Sequence, residues 1–419
     1  MIFIYNVAIF LYVFGIRIAS LFGNKKAALW IAGRKNWKEK IKSFTKKGDK
    51  TFWFHCASLG EFEQGRPLIE EIRNSNPQYN IILSFYSPLG YEIRKNYEYA
   101  DLICYLPIDT KKNARFFIDT LKPDKTFFIK YDYWYHFLTA LHKSNIQSFI
   151  VSGIFRKNQH FFKWYGGFAR KMLKCISHFF VQDNDSGILL QSLGMNNYTV
   201  TGDTRFDRVV KNVSTVHESD LIKSFKGDTQ LMVCGSTWPT DELLICKALG
   251  HLNNPNLKLI IAPHDISEHR IHQLRTTISK HLPSIKAATY SDKSKENFIQ
   301  SNILILDTMG QLASVYSYGT FAYVGGGFNS GIHNTLEPAA FGLPLIFGPE
   351  YDKFLEAKEL IREGAAFVIQ NETQLTLIMD TLSKQNKLVV GAGKAAGDYI
   401  LKNTGATKKI IAELQKWSP

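Results

Sequence analysis

The sequence predicts a two-domain α/β protein whose two doubly wound parallel sheets face one another across a cleft, preceded by an apolar N-terminal helix. Its 419 residues exceed what a single hydrophobic core usually supports. Short apolar runs alternate with amphipathic stretches, which is the pattern of β-α units in a parallel sheet. With 45% hydrophobic and 21% charged residues, the chain has the composition of a globular protein.

The first element is an apolar stretch from Ile2 to Phe22 whose one charge is Arg17. A helix of this length can cross a bilayer core of about 30 Å. No small-residue cleavage site follows, which favours a retained anchor over a removed signal peptide. A central charge costs about 2.5–3.5 kcal/mol on insertion scales, so a spanning helix and an interfacial one stay equally open. Residues 1–24 are therefore assigned to a membrane anchor or interfacial helix.

A basic segment, residues 25–50, follows the apolar helix. It carries ten Lys and Arg residues against Glu39 and Asp49, and the whole chain has a formal charge of +14. Beside an apolar anchor such a cluster predicts contact with an anionic membrane surface and keeps the remainder on the cytoplasmic side. Nucleic acid is not an expected partner, because no nucleic-acid-binding motif accompanies the charge. The five cysteines lack metal-ligand spacing and read as buried, reduced thiols.

Two series of strands follow. The first domain, residues 51–212, has predicted strands at 51–56, 80–85, 101–106, 125–129, 146–151, 179–182 and 198–201. The pattern then becomes polar over residues 213–229, which are assigned to an interdomain linker. The second domain, residues 230–419, has predicted strands at 231–234, 257–262, 303–306, 321–324, 345–347 and 366–369.

A glycine-rich run from Gly325 to Pro349 follows the strand at 321–324. Glycines let a backbone approach a ligand closely, and a helix opening near Ile332 would direct free N–H groups at a phosphate. Glu337 would lie about one turn into that helix, where its carboxylate could accept from ribose hydroxyls. The alternative is a glycine-rich turn in which Glu337 pairs locally. The run predicts a nucleotide-binding crevice at this strand end.

Motifs along nearly the whole chain resemble the 3-deoxy-D-manno-octulosonic acid (Kdo) transferases of lipopolysaccharide synthesis. Besides the apolar N-terminus and the glycine run through Glu337-Pro338, they are Ala57-Ser58-Leu59-Gly60-Glu61, Val200-Thr201-Gly202, Phe206-Asp207, Gly235-Ser236-Thr237 and Pro263-His264. The resemblance implies a GT-B fold of two Rossmann-like domains, the first binding the acceptor and the second the donor. It implies a CMP-Kdo donor, a lipid A precursor as acceptor, inversion at the anomeric carbon, no metal and no cofactor. It also implies attachment to the inner (cytoplasmic) membrane, with the catalytic domains on the cytoplasmic side.

Glu61 is the candidate catalytic base. The spacing from Ser58 to Glu61 is also that of a capping box, in which Glu61 binds the backbone N–H of Ser58. From the residues alone the two interpretations are evenly balanced. An inverting transfer needs a carboxylate to take the acceptor hydroxyl's proton, and the resemblance favours that role for Glu61.

Asp132 is the second catalytic candidate, in a segment that departs from the family. Many members read Glu-x-Glu-x-Trp-Pro where this chain has Lys130, Asp132, Trp134 and Tyr135. A role that needs the first carboxylate is therefore in doubt. Asp132 could still orient the acceptor or tune Glu61, and packing of the aromatic residues with a surface ion pair for Asp132 is equally open.

The resemblance also implies a set of donor contacts at the strand ends of the second domain. They are Ser236, Thr237, Pro263, His264, Gly325, Gly326, Gly327, Gly331, His333, Asn334 and Glu337. A lone histidine is more often structural, and the two hydroxyl residues could simply cap a helix. Arg156 and Arg205 are candidates to neutralise a phosphate or carboxylate, although a solvated surface role fits each equally. Many family members have Lys in place of Arg205.

Two other functions remain compatible with this architecture. One is a UDP-sugar-dependent transferase or a nucleotide-sugar epimerase of the same fold. The other is a non-catalytic module that binds lipid or carbohydrate, against which the presence of Glu61 and the intact glycine run argue.

Overall fold

The computed structural model describes residues 1–216, 218–252 and 254–417, which form two compact units. The N-terminal unit comprises Met1–Arg208 together with Thr404–Pro419, and the C-terminal unit comprises Val209–Asn403. Each unit contains one seven-stranded sheet in which every pairing is parallel. The predicted α/β class is confirmed.

The sheet of the N-terminal unit has the strand order β3-β2-β1-β4-β5-β6-β7. Its strands are β1 (Thr51–Cys56), β2 (Asn80–Phe85), β3 (Leu102–Tyr105), β4 (Lys125–Ile129), β5 (Gln147–Gly153), β6 (His178–Val181) and β7 (Tyr198–Val200). Most are continuous buried runs rather than alternating patterns, because helices cover both faces of a parallel sheet. Ten helices precede or follow these strands: α1 (Ile2–Leu21), α2 (Lys25–Ala32), α3 (Trp37–Lys42), α4 (Leu59–Ser75), α5 (Pro88–Arg94), α6 (Lys111–Leu121), α7 (Tyr135–Lys143), α8 (Gly167–Leu173), α9 (Asn184–Gln191) and α10 (Thr204–Ser214).

The sheet of the C-terminal unit has the strand order β10-β11-β9-β8-β12-β13-β14. Its strands are β8 (Gln230–Thr237), β9 (Leu257–Pro263), β10 (Ala287–Thr289), β11 (Ile303–Ile305), β12 (Phe321–Val324), β13 (Leu345–Phe347) and β14 (Ala366–Val368). The remaining helices are α11 (Asp220–Lys226), α12 (Pro239–His251), α13 (Glu268–His281), α14 (Lys295–Gln300), α15 (Leu312–Tyr316), α16 (Leu336–Ala340), α17 (Leu355–Arg362), α18 (Glu372–Lys384), α19 (Asn386–Lys402) and α20 (Ala406–Gln415). Two 3₁₀ turns complete the described elements, at His160–Phe162 and Tyr290–Asp292.

Three details differ from the sequence-based expectations. The polar stretch assigned to a linker contains α11, whose Ile222 and Phe225 are buried in a core of the C-terminal unit. β10 was not predicted, because Ala-Ala-Thr forms no apolar run. The range 230–419 was assigned wholly to the second domain, whereas the last helix belongs to the N-terminal unit.

The last helix, α20, is held in the N-terminal unit by packing and by hydrogen bonds. Its Ile410 and Leu414 lie in the same core cluster as residues of β1 and α4. The carboxylate of Asp207 accepts from the backbone N–H groups of Gly405 and Thr407 at 2.5 and 2.6 Å. Capping of this kind satisfies donors that a helix N-terminus otherwise leaves free. The Phe206-Asp207 motif therefore has a structural role here.

The N-terminal helix α1 is apolar and exposed. It is the one helix among the described residues that is long and apolar enough to cross a membrane, with a mean hydropathy of 2.0. Phe3, Leu21 and Phe22 are at least 78% exposed, while Val13 is buried against the rest of the unit. An exposed apolar surface of this extent is typical of a site that contacts a membrane or another protein.

Candidate active site

Glu61 lies at the start of α4, just beyond the carboxyl end of β1. The Ser58 side chain accepts from the Glu61 backbone N–H at 3.5 Å, and the Ser58 hydroxyl contacts the Glu61 carboxylate. Ser58 therefore caps the start of α4 through its own side chain. The side chain is about half buried, and burial, followed by the negative charge of Asp132, raises the pKa of Glu61 above its usual 4.5. A carboxylate with a raised pKa is a better proton acceptor, so capping and base chemistry are compatible at this position.

Asp132 is paired with a buried histidine that sequence reasoning did not select. His55 lies on β1 with no solvent exposure, and its Nε2 is 2.9 Å from Oδ2 of Asp132. Its Nδ1 is 2.8 Å from the hydroxyl oxygen of Ser84, which accepts from Nε1 of Trp53 at 2.8 Å. Nε1 of Trp134 donates to Nε2 of His55 at 3.3 Å, which requires an unprotonated Nε2 and leaves the ring proton on Nδ1, facing the Ser84 hydroxyl. His55 therefore lies in contact with the Asp132 carboxylate, whose Oδ2 accepts no hydrogen bond from the described residues.

Aromatic side chains connect this acid to α1. The Trp134 ring stacks on Tyr86 with centroids 4.6 Å apart, and Tyr86 stacks on Tyr12 of α1 at 6.3 Å. Nε1 of Trp134 lies 3.3 Å from Nε2 of His55. The apolar helix and Asp132 are therefore joined by a continuous series of ring contacts within the N-terminal unit.

The two arginine candidates lie near the same edge. Both Arg156 and Arg205 act electrostatically on Tyr131, as does Glu61, so the four residues lie near one another. Arg156 is exposed in the loop after β5. Arg205 donates through Nε to the carboxylate of Asp203 at 2.8 Å, so part of its charge is neutralised internally. The structure thus brings Glu61, Asp132 and the two guanidinium groups to the carboxyl edge of one sheet.

In the C-terminal unit, the glycine run packs backbone against backbone. The N–H of Gly325 donates to the carbonyl of Gly235 at 2.9 Å, and a Cβ on Gly325 would lie 2.3 Å from the carbonyl oxygen of Ser236. A Cβ on Gly327 would lie 2.6 Å from the backbone nitrogen of Gly348. These two glycines are therefore required by close contacts between chain segments, whatever ligand the loop holds.

Asp241 fixes this loop and was not among the sequence candidates. It is fully buried at the start of α12. Its carboxylate accepts from the backbone N–H groups of Trp238 and Gly326, both at 2.9 Å, and from the Tyr323 hydroxyl at 2.8 Å. The contacts with Gly326 and Tyr323 span more than 80 residues of sequence, so no local pattern could have predicted them.

Three aromatic rings meet beside the loop: Trp238, His264 and His333. His264 stacks on Trp238 with centroids 4.8 Å apart and on His333 at 4.5 Å. Nε1 of Trp238 donates to Nε2 of His333 at 2.8 Å, which requires an unprotonated nitrogen there. Burial, followed by the charge of His264, lowers the pKa of His333 to about 4. His264 itself is exposed, so the cluster presents a ring to solvent at the end of β9.

The depressed pKa of His333 makes the stability of the C-terminal unit depend on pH. Between the unfolded value of 6.5 and the folded value of about 4, the unfolded chain binds more protons, so the free energy of unfolding decreases as the pH falls through this window. We expect His333→Asn to flatten that part of the profile in denaturant titrations, relative to His272→Asn on the exposed face of α13. An NMR titration of the His333 ring that gives a pKa near 6.5 would contradict the assignment.

The remaining candidates for donor binding lie at the ends of β8 and β9 and in the loop before α16. The predicted start of that helix was wrong. Ser236 adopts a positive φ of 54° at the end of β8, and Pro263 ends β9. The Thr237 hydroxyl donates to Glu242 at 2.9 Å, so it is engaged within the protein. The helix expected near Ile332 begins instead at Leu336.

The later helix start has a local cause. Gly331 has a positive φ of 127°, and the Asn334 side chain accepts from the N–H of Leu336 at 3.1 Å, so the irregular loop continues up to α16. Glu337 consequently lies in the first turn of that helix. Over the described residues, no group of three or more His, Cys, Asp or Glu side chains is arranged to hold a metal ion.

The chain is similar to sugar-transferring enzymes. The family described as 3-deoxy-D-manno-octulosonic-acid transferase (kdotransferase) matches residues 35–208. A 3-deoxy-D-manno-octulosonic acid transferase of Chlamydia trachomatis is 27% identical over 381 residues, covering 86% of this chain and 85% of that relative. Transferases of the same description from Aquifex aeolicus and Haemophilus influenzae are 25% and 24% identical, covering 81% and 87% of this chain and 88% and 86% of those proteins.

Solved structures with the same architecture support the fold. A UDP-GlcNAc 2-epimerase from Neisseria meningitidis superposes with a TM-score of 0.62 at 14% identity, over 88% of this chain and 100% of that one. MurG of Acinetobacter baumannii superposes with a TM-score of 0.54 at 13% identity, with the same coverage. At such identities the likeness concerns the fold alone, and it confirms the predicted GT-B architecture.

Proposed function

Because this chain is related to the Kdo transferases along most of its length, we propose that it transfers Kdo from CMP-Kdo to a lipid A precursor, with inversion at the anomeric carbon. The similarity to curated Kdo transferases over 381 residues carries the proposal. It supports Kdo transfer directly. The identity of the donor nucleotide, the identity of the acceptor and the inversion of configuration go beyond this similarity and are part of the proposal.

In the proposed reaction Glu61 is the general base. Its carboxylate removes the proton of the acceptor hydroxyl as that oxygen attacks the anomeric carbon of Kdo, and the bond to the CMP phosphate breaks on the opposite face. A single displacement of this kind inverts the configuration. The raised pKa of Glu61 supports the role, and the charge of Asp132, which lies against His55, sets part of that pKa. Arg156 and Arg205 supply positive charge without a metal.

The donor is assigned to the C-terminal unit. The stacked rings of Trp238, His264 and His333 offer a flat apolar face suited to a pyrimidine base. The loop from Gly325 presents backbone beside them, and Glu337 in the first turn of α16 is a candidate partner for ribose hydroxyls. These features support a nucleotide-sugar site, and the choice of cytidine rests on the family resemblance.

We further propose that α1 attaches the protein to the inner membrane by lying in its cytoplasmic interface. The Tyr5 hydroxyl donates to Asp109 at 2.5 Å, and the Asn6 side-chain oxygen is 2.7 Å from Nε2 of His136. About two turns further on, Val13 is buried against the unit. A helix held along its side by polar contacts would carry them into the hydrocarbon core if it crossed the bilayer, so the interfacial orientation is favoured.

The two orientations of α1 differ in the location of the chain's first residues. We expect Ile2→Cys, in sealed vesicles with the catalytic units outside, to react with a membrane-impermeant thiol reagent added outside. The five native cysteines are buried, so labelling should report on the introduced thiol alone. Wild-type protein gives the background, and Ser43→Cys, at an exposed position after α3, gives the full signal. Protection of Ile2→Cys until the vesicles are lysed would establish a spanning helix.

The proposed reaction is tested with detergent-solubilised full-length protein, enzymatically generated CMP-Kdo and lipid A precursor. CMP should be released only when the acceptor is present, and the product mass should increase by whole Kdo units. Turnover of a UDP-sugar without lipid, or binding without turnover of either donor, would reject the proposal.

A further inference from the structure

A cavity separates α1 from the loop that follows β3. Its volume is about 400 Å³, within the range of small-molecule sites. One wall is formed by the α1 side chains Ile9, Val13 and Phe14, and another by Ile108. The interior is therefore mainly apolar, and it lies beside the exposed apolar surface of α1.

Two exposed cations line the same cavity. Arg17 is the single charged residue of α1, and Lys111 is the first residue of α6. The positive end of the α6 dipole adds to the charge of Lys111. A lysine and an arginine bordering an apolar cavity complement a ligand with an apolar body and an anionic end.

The acidic group in the lining does not cancel this charge. The carboxylate of Asp109 is engaged by the Tyr5 hydroxyl and by the backbone N–H groups of His136 and Phe137 at 3.0 and 3.1 Å. Burial raises the pKa of Asp109 and lowers that of His136, so desolvation favours the neutral form of each. The charge that faces a ligand is therefore that of Arg17 and Lys111.

We propose that this cavity binds one acyl chain of an anionic phospholipid, with the phosphate between Arg17 and Lys111. The exposed side chains of Phe10 and Phe14 on α1 also line the cavity, so the apolar surface that would contact a bilayer, from which the lipid comes, extends to the cavity. The proposed lipid site does not depend on Kdo transfer. A lipid bound here would stabilise the packing of α1 against the N-terminal unit, whatever sugar the enzyme transfers.

The proposal is tested by photo-crosslinking the full chain on phosphatidylcholine vesicles that contain phosphatidylglycerol with a diazirine in one acyl chain. Adducts should map to α1 and to the segment from Leu106 to Ala114. Ile9→Trp, which fills the cavity, should lower their yield about tenfold, as expected for the loss of about 1.4 kcal/mol of binding. Leu11→Trp, on the exposed side of α1, is the matched control and should leave the yield unchanged.

A second pair of variants tests the phosphate contact without touching the packing. Lys111→Glu should lower the yield by a similar factor, whereas Lys112→Glu, which changes net charge equally outside the cavity, should not. Both positions are exposed, so both proteins should fold. Equal yields from the two charge variants, or equal labelling by a diazirine phosphatidylcholine, would overturn the proposal.

Discussion

Replacing Glu61 with Gln is expected to lower kcat by about 10²–10⁴-fold, the range over which a positioned general base contributes. Glutamine keeps the size of the side chain and can still serve at the third position of a capping box, so the start of α4 should remain intact. What it loses is the ability to accept a proton from the acceptor hydroxyl. The measurement is steady-state release of CMP in the presence of lipid acceptor, with thermal unfolding recorded on the same preparation.

Glu71→Gln is the matched control, because Glu71 lies on α4 but is exposed away from the candidate site. It should retain wild-type turnover. A folded Glu61→Gln variant with near-normal turnover would leave Glu61 with its capping role alone. The acceptor proton would then have to go to another group, and the proposed mechanism would fail.

The pH dependence gives an independent readout of the same group. Since burial and the charge of Asp132 both raise the pKa of Glu61, the acid limb of kcat/KM should lie above the ordinary glutamate value of 4.5. Asp132→Asn removes the negative charge that disfavours ionisation of Glu61, so the limb should move to lower pH. A limb that does not move would show that Asp132 acts on the acceptor or only on packing.

Much of the fold could be predicted because buried parallel strands have a strong local signal. Thr51–Cys56 and Asn80–Phe85 are continuous buried runs of mostly apolar residues, and their predicted limits agree with the structure. Ala287–Thr289 has no such run and was missed. The helix Ala406–Gln415 is amphipathic and could have packed on either sheet, and its location depends on Asp207, about 200 residues earlier.

The candidate site divides in the same way. His264 directly follows β9 and Glu61 lies five residues after β1, so the rule that parallel sheets bind ligands at their carboxyl edges makes both of them candidates, and the family resemblance favours a role for each. His55 lies inside β1, and its neighbours are Ser84 of β2 and Asp132 in the loop after β4. In the sequence, Asp241 looks like an ordinary acidic residue at the start of a helix. Its hydrogen bond with the N–H of Gly326 exists only in the folded chain. Residues that position a site through distant contacts leave no local pattern to read.

Gly325→Ala is expected to destabilise the C-terminal unit by about 1–3 kcal/mol, the usual cost of overpacking a closed contact. The new Cβ would lie 2.3 Å from the carbonyl oxygen of Ser236 and 2.7 Å from Cα of Thr237, and neither backbone atom can move without shifting the end of β8. Because Ser236 and Thr237 are donor candidates, affinity for CMP should fall as well. Urea unfolding and calorimetric titration with CMP measure the two effects separately.

Gly391→Ala is the control, since a Cβ at that position in α19 meets nothing within 4 Å and alanine favours a helix by about 0.5–1 kcal/mol. It should bind CMP normally and unfold at slightly higher urea. A Gly325→Ala protein that keeps its stability and loses only CMP affinity would mean that Gly325 is needed for ligand approach. Loss of stability with affinity retained would mean that the glycine serves packing alone and that the nucleotide is held elsewhere. Loss of both is what the contact geometry predicts, because the strand end that Gly325 touches carries the candidate ligand contacts.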